Sequence, residues 1–561
     1  RWYFSPSAHR RLRSDAMVTT GDAVFVLVVA VLTLLLSFGS AILFVLNFSV
    51  KQDRNRSWWK VAVCIFVYLQ IVQPLAFLAV DILDTQLSLA GVDTPQRYTS
   101  QSSVTSIQAS SIWKVLYAFN FLLAQFGIVF MISFLSNTYR PTAKRFGIAT
   151  GYATITMGSS LAATGLLYLI PGSVETDYYS EALMSGTTMF SVNETIAGCV
   201  MPTQLVAYNN IRVSSAVSHN ATTKDAQACT SFPSEGIETP TAAFPASFGY
   251  LDYTLAVFGI FGYLIMMPHL AVGLVAYPYN LMTEFIRRPK EPMTKRAYIQ
   301  TVRQWCEEAR QIKLKAAKIE NNRNLTGMTW AMRKQLHALR RDVAKLEMNE
   351  AAISPLYPQA TDDPEVTWTF HIIAIYCRGA CSIVVVALSV GWILNVCLYV
   401  IPLPPVSPWL NALVYFTRGD SFSNYLLNII DLLFTQLLTF HVLRCVSVGL
   451  EQIQKMVPFF QLIPFIRNGT RMTGLFSNAW PLLVSTPTIV EFVATNLSTA
   501  MAHTSILNRI ATAVHHVAFL TTIVEYNIYA WAFLVCVAIN LVVVPWYDSR
   551  QKRSELYRPI L

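Results

Sequence analysis

Nine apolar stretches, each long enough to cross a bilayer, follow one another along this chain, and the basic residues between them gather in alternate connections. A hydrocarbon core of about 30 Å takes roughly 20 apolar residues in a helix. Lipid offers no hydrogen bonds, so only helices or closed barrels satisfy their backbones there. These unbroken Leu, Val, Ile and Phe runs lack the alternation of barrel strands. The sequence therefore predicts an all-α polytopic membrane protein with about nine transmembrane helices. They fall at 23–50, 61–83, 113–136, 147–170, 252–282, 370–400, 422–443, 474–498 and 526–546. The least apolar is 474–498, which carries Pro481, Pro487 and Glu491.

A net charge of +10 invites a nucleic-acid partner, but the basic residues form no patch on a soluble domain. Counted by connection, 31 Lys and Arg lie on one side and six on the other. The positive-inside rule then places the first set in the cytosol, with the N-terminus outside and the C-terminus inside. No nucleic-acid partner is expected; the bilayer is. Arg1, Arg10, Arg11 and Arg13 run against the rule, and Met17 stands just before the first span, so segment 1–22 is read as a mis-extended start. The remaining organisation is helices one to five over 23–283, a cytosolic segment at 284–366, helices six to nine over 367–546, and a tail at 547–561.

Of nine cysteines only Cys199 and Cys229 fall in the large outward loop 171–251, which faces an oxidising compartment. A disulfide between them is the natural pairing, worth roughly 3 kcal/mol in the chain-entropy model. Asn193 and Asn220 head sequons in the same loop and can accept glycans.

In 284–366, apolar positions from Ile299 to Ile319 recur at three and four, break at Asn321–Gly327, and resume from Met332 to Leu346. This spacing fits two amphipathic helices folded back as an antiparallel coiled-coil hairpin, with 354–366 as the linker to the membrane. Such a hairpin either satisfies itself or docks a membrane or cytosolic protein partner.

The second span ends in Val80-Asp81-Ile82, and the fifth in Gly273-Leu274-Val275-Ala276-Tyr277-Pro278-Tyr279-Asn280-Leu281. With five spans before the coiled segment and four after it, the chain resembles the limb region 1-like family. That family includes the lipocalin-interacting membrane receptor and the lysosomal cobalamin transport escort type. The resemblance implies a receptor or trafficking escort with an extracellular or luminal ligand, in an endolysosomal or plasma membrane. It makes Val80, Asp81, Ile82, Gly273, Pro278 and Asn280 the family-motif residues.

Ionisable groups within lipid cost at least about 2.5–3.5 kcal/mol. Asp431 in the seventh span, Glu491 in the eighth and His269 in the fifth thus form the candidate intramembrane polar site, a proton or cation site if they act chemically. The alternative is interhelical hydrogen bonding, with Asp431 satisfied by Asn428 and Thr435. Asp81 is expected to cap a helix end or bond a neighbouring span, and Arg378 to snorkel. Tyr557-Arg558-Pro559-Ile560 matches a tyrosine-based sorting signal. No phosphate loop, His-Glu-x-x-His, Cys-x-x-Cys or nucleophile elbow occurs, so no enzyme, metal or cofactor is expected. Cys377 and Cys381, four apart, are read as small packing residues. The rival reading is a secondary transporter or channel using the intramembrane acids.

Overall fold

The computed structural model describes residues 6–50, 53–54, 57–90, 109–137, 140–169, 250–289, 291–326, 330–353, 356–357, 364–402, 406–407, 409–414, 422–456, 465, 469–497, 501, 504–506 and 527–556. The described residues are helical, with one isolated bridge, Ser49 to Thr470, in place of any sheet. In chain order the helices are α1 (Pro6–Phe48), α2 (Trp58–Ala90), α3 (Ala109–Leu122), α4 (Ile128–Ser136) and α5 (Thr142–Leu169). Then come α6 (Tyr250–Ile286), α7 (Lys295–Thr326), α8 (Trp330–Ile353), α9 (Pro364–Asn395) and α10 (Leu410–Leu413). The chain closes with α11 (Phe422–Met456), α12 (Met472–Asn496) and α13 (Ile528–Leu556). A single π-helical turn, Leu123–Gly127, joins α3 to α4, and another, Val396–Val400, follows α9.

Seven of these helices are long and apolar enough to cross a membrane: α1, α2, α3 with α4, α6, α9, α11 and α13. The expected fourth and eighth spans exist as helices α5 and α12 but are not apolar enough to qualify by composition alone. For α12 the reason is its position. It packs against α2, α4, α6 and α11, and nearly every one of its residues is buried. Its neighbours are protein side chains and not lipid tails, so Asn, Ser, Thr and Glu are tolerated where a lipid-facing helix would exclude them. α5 is rich in Thr, Ser, Gly and Ala, which lets it lie closely along α4.

The hub of the bundle is α6, which touches α3, α5, α9, α11, α12 and α13. Its closest partner is α11, and glycines explain why. A Cβ on Gly273 would stand 1.8 Å from the Cys445 carbonyl oxygen, and one on Gly449 would stand 1.8 Å from that of His269. Each helix thus lays its backbone on the other's glycine, the small-residue packing that lets membrane helices approach without a hydrophobic driving force.

At one end, the start of α12 is held by the end of α1. Val50 N–H donates to the Thr470 carbonyl at 3.1 Å, and Thr470 N–H to that of Phe48 at 3.0 Å. The Asp53 carboxylate accepts from Met472 N–H at 3.2 Å, so an acid from a distant segment caps the N-terminus of α12.

Helices α7 and α8 occupy the expected amphipathic segments and pack on each other. Their base is closed by Met293 N–H donating to the Leu356 carbonyl at 2.7 Å and by Tyr298 stacked on Tyr357 at 4.1 Å. The expected linker 354–366 is shorter than the sequence implied, because α9 already begins at Pro364. A proline at a first helical position loses no intrahelical bond, so it can start a helix. Likewise α11 runs on to Met456, beyond the expected limit at 443, and its apolar span reaches from Leu426 to Gln454. The expected disulfide partners Cys199 and Cys229, the sequons at Asn193 and Asn220, and the tail residues Tyr557 and Ile560 lie outside the described residues.

Candidate functional site

The polar residues of this bundle converge on α12. Its exposed-to-lipid fraction is negligible, yet it carries Asn478, Ser485, Thr486, Thr488, Glu491 and Asn496, all buried. Two prolines, Pro481 and Pro487, interrupt its backbone ladder. Neighbouring helices send hydroxyls to its carbonyls: Tyr68 of α2 to Leu475 at 3.1 Å, and Tyr117 of α3 to Pro487 at 3.0 Å. In return Thr486 donates to its own Leu482 carbonyl at 2.8 Å, and Thr488 to the Gly259 carbonyl of α6 at 3.1 Å.

The C-terminal carbonyls of α12 would be orphans in lipid. The Asn496 carbonyl accepts two amides, Asn395 Nδ2 from the end of α9 at 3.0 Å and Asn411 Nδ2 from α10 at 2.9 Å. Asn527, at the start of α13 with φ 51°, donates to the Val400 carbonyl at 2.9 Å. Asparagine is among the residues that tolerate this backbone region. One end of the bundle is therefore laced shut by asparagines from separate helices.

The family-motif residue Asp81 belongs to the same end. It is 1% exposed, between buried Val80 and Ile82. Its Oδ2 accepts from the Trp113 indole N–H at 2.9 Å and from Ile506 N–H at 3.2 Å, and its Oδ1 from Ser505 N–H at 3.2 Å. The sequence suggested a cap or an interhelical bond; Asp81 makes both, tying α2 to α3 and to the segment after α12. Removing it by Asp81→Ala strands an indole N–H and two backbone amides. Each buried donor left unmatched costs about 1–3 kcal/mol. The variant should lose about 3 kcal/mol or more, read as a fall in melting temperature of the detergent-solubilised protein, whereas Trp113→Phe, removing one donor, should cost a fraction of that.

Of the other motif residues, Gly273 serves the α6–α11 contact, Pro278 sits within the last turns of α6, and Asn280, two residues further along the same helix, is exposed.

The three candidate intramembrane groups are not brought together by hydrogen bonds. His269 turns its Nδ1–H back to the Ile265 carbonyl of its own helix and lies against Gly449. Asp431 is 18 residues from Gly449 along α11, about 27 Å of helix. The Thr435 hydroxyl donates to the backbone carbonyl of Asp431 at 2.9 Å. Glu491 stands apart from both. It is 2% exposed, and neither carboxylate oxygen has a hydrogen-bond partner. The tyrosines Tyr117 of α3 and Tyr263 of α6 lie within its electrostatic range. Asn120, fully buried one turn along α3 from Tyr117, also has neither amide atom hydrogen-bonded.

A second polar cluster was not legible in the sequence. The His441 Nε2 of α11 lies 3.1 Å from the Ser389 hydroxyl of α9 and 3.5 Å from the Cys445 sulfur, all three buried. Only the spacing of His441 and Cys445, four apart on one face, hints at it. Cys377 and Cys381 are exposed and free, and no group of three His, Cys, Asp or Glu among the described residues could hold a metal.

No family model matches the sequence, and no solved structure does. Among curated proteins, two LIMR family proteins of Arabidopsis thaliana are each 23% identical to this chain. One aligns over 530 residues, 94% of this chain and 97% of its own length, the other over 529 residues, 94% and 96%. A LIMR family protein of Oryza sativa subsp. japonica is 22% identical over 533 residues, 94% of this chain and 96% of its own. This likeness, sustained from end to end in all three, supports a limb region 1-like family for the protein.

Proposed function

We propose that this chain is a non-enzymatic multi-pass membrane protein of limb region 1-like type that serves as a receptor or trafficking escort. In this reading it threads the bilayer nine times, α5 and α12 included, with the hairpin α7–α8 and the C-terminus in the cytosol. Its outward loop 171–251, glycosylated at Asn193 and Asn220 and bridged at Cys199–Cys229, meets a ligand. The hairpin docks a membrane or cytosolic partner, and Tyr557 and Ile560 direct sorting to endolysosomal membranes. The observation that carries the reading is how the buried polar groups are spent. Asp81, Asn395, Asn411, Asn527, Tyr68, Tyr117 and Thr488 each bond a neighbouring helix or segment. A bundle locked by its polar groups suits a protein that presents loops to partners.

The test is capture of partners by the full chain in cells, with and without replacement of 295–353 by a flexible linker. The reading expects a reproducible partner set that is lost with the hairpin while membrane insertion persists. An unchanged set would contradict it.

A second reading, transport, is favoured by one observation: the unpartnered carboxyl of Glu491 beside two prolines in the central helix. Broken helices with an intramembrane acid are the usual furniture of proton and cation sites. Reconstituted protein separates the two. Proton or cation flux abolished by Glu491→Gln supports transport, and no flux in either form supports the escort.

A further inference from the structure

The first half of α9 carries a pair of cysteines that the packing does not use. Phe370, Ile373, Cys377, Cys381 and Val384 follow one another at spacings of three and four, so they share one face of the helix, and all five are exposed. The opposite face does the packing. Ile375, Gly379 and Ser382 are buried there, with the Phe285 ring of α6 set against Gly379. Read from their spacing as packing residues, Cys377 and Cys381 stand instead on the face turned away from α6, and both are free thiols.

Charge marks their depth. Arg378 pairs with Glu284 of α6, Arg287 pairs with Asp548 of α13 at 3.3 Å, and Arg288 lies over the rings of Phe285 and Tyr376. Ionisable groups are costly deeper in lipid, so this belt sets the level at which α6, α9 and α13 leave the hydrocarbon. From Cys381 the apolar span runs on to Val400, about 30 Å of helix, which matches the hydrocarbon thickness. Cys381 therefore stands at the edge of the hydrocarbon and Cys377 one turn further out, at headgroup level. The other described cysteines are placed differently. Cys64 and Cys445 are buried, Cys397 and Cys536 are half-buried within spans, and Cys306 is exposed on the hairpin, beyond the boundary. We propose that Cys377 and Cys381 are S-acylation sites, each taking a long-chain fatty acyl group as a thioester. Juxtamembrane thiols are the ones that reversible acylation uses, and the thiolate is the nucleophile. It attacks the carbonyl carbon of a long-chain acyl thioester presented by a membrane acyltransferase. A new C–S bond to the cysteine replaces the one to the carrier thiol, which leaves with the proton, and nothing is oxidised or reduced. The acyl chain then lies over Ile383 and Val384, which are exposed on the hydrocarbon side of the thiols. The inference shares with the proposed function only its sidedness, which puts this boundary in the cytosol, and it needs neither the ligand nor the docked partner.

The test uses the full chain expressed in a eukaryotic host. Free thiols are blocked with N-ethylmaleimide, thioesters are cleaved with neutral hydroxylamine, and the thiols released are tagged with a poly(ethylene glycol) maleimide. Singly and doubly tagged protein is expected, and only after hydroxylamine. Cys377→Ser and Cys381→Ser should each remove the doubly tagged form, the double variant should lower total tagging at least tenfold, and Cys306→Ser should change nothing. Mass spectrometry of the unsubstituted protein, locating the acyl group on the peptide that holds 377 and 381, keeps the test decisive if a variant fails to fold. Tagging that is absent, that survives in the double variant, or that follows a reductant instead of hydroxylamine, as a disulfide would, overturns the proposal. Sidedness is read separately by maleimide labelling of position 328, so failure of the acylation and failure of the topology are told apart.

Discussion

Replacing Gly273 by leucine is expected to leave little folded protein, and Gly449→Leu should do the same. In each case the new Cβ would meet a backbone carbonyl oxygen at 1.8 Å, and backbone cannot swing aside as a side chain can. Relief requires that α6 and α11 separate along the contact that anchors α6, the hub helix. Overpacking a core by a few methylenes typically costs about 1–3 kcal/mol through off-rotamer side chains. Displacing two helices should exceed that range. Even Gly273→Ala should lower the melting temperature visibly. Gly158 on α5 is the control, since a Cβ there meets nothing within 4 Å. Gly158→Ala should be neutral or stabilise by about 0.5–1 kcal/mol, the ordinary helical preference for alanine. Equal tolerance at 158 and 273 would mean that α6 and α11 do not touch in this way.

Replacing Glu491 by leucine is expected to raise stability, the reverse of the usual result for a buried residue. Both carboxylate oxygens lie buried without a donor. A polar group buried without a hydrogen bond costs about 1–3 kcal/mol by protein mutation, and leucine fills similar space without that cost. A gain of that size should appear as a higher melting temperature of the purified protein. Glu491→Gln should gain less, because its amide would also lack partners. A carboxyl retained against stability is the kind of local inconsistency that marks function. If Glu491→Leu instead destabilises by several kcal/mol, the carboxyl is bonded in the membrane and serves only as interhelical glue.

The sequence exposed the helices because lipid imposes a length and a composition that soluble folds do not. Spans such as 23–50 and 113–136 emerge with ends moved by a few residues. It read 474–498 as the weakest span, and the structure gives the physical reason: α12 is central and solvated by other helices. Asp81 was legible as a motif and as a helix tie. Its partners Trp113, Ser505 and Ile506 were not, since they lie 32 to 425 positions away and share no periodicity with it. Grouping Asp431, Glu491 and His269 by chemistry alone overlooked that helix depth separates the first from the last. The glycine crossing of α6 and α11 was equally hidden, because a glycine in an apolar run looks the same whether it faces lipid or a carbonyl.

Sidedness is the measurement that bears most directly on the account. Single cysteines placed in turn at 55, 139, 210, 328, 416, 468 and 516, on a background lacking exposed native cysteines, can be labelled with a membrane-impermeant maleimide in cells whose plasma membrane alone is permeabilised and in fully permeabilised cells. Nine crossings require positions 55, 139, 328 and 468 to react from the cytosolic side, and 210, 416 and 516 to react only from the extracellular or luminal side. Labelling of 139 and 210 from the same side would remove α5 as a crossing, and labelling of 468 and 516 from the same side would remove α12. Either result contradicts a bundle organised around a membrane-spanning α12.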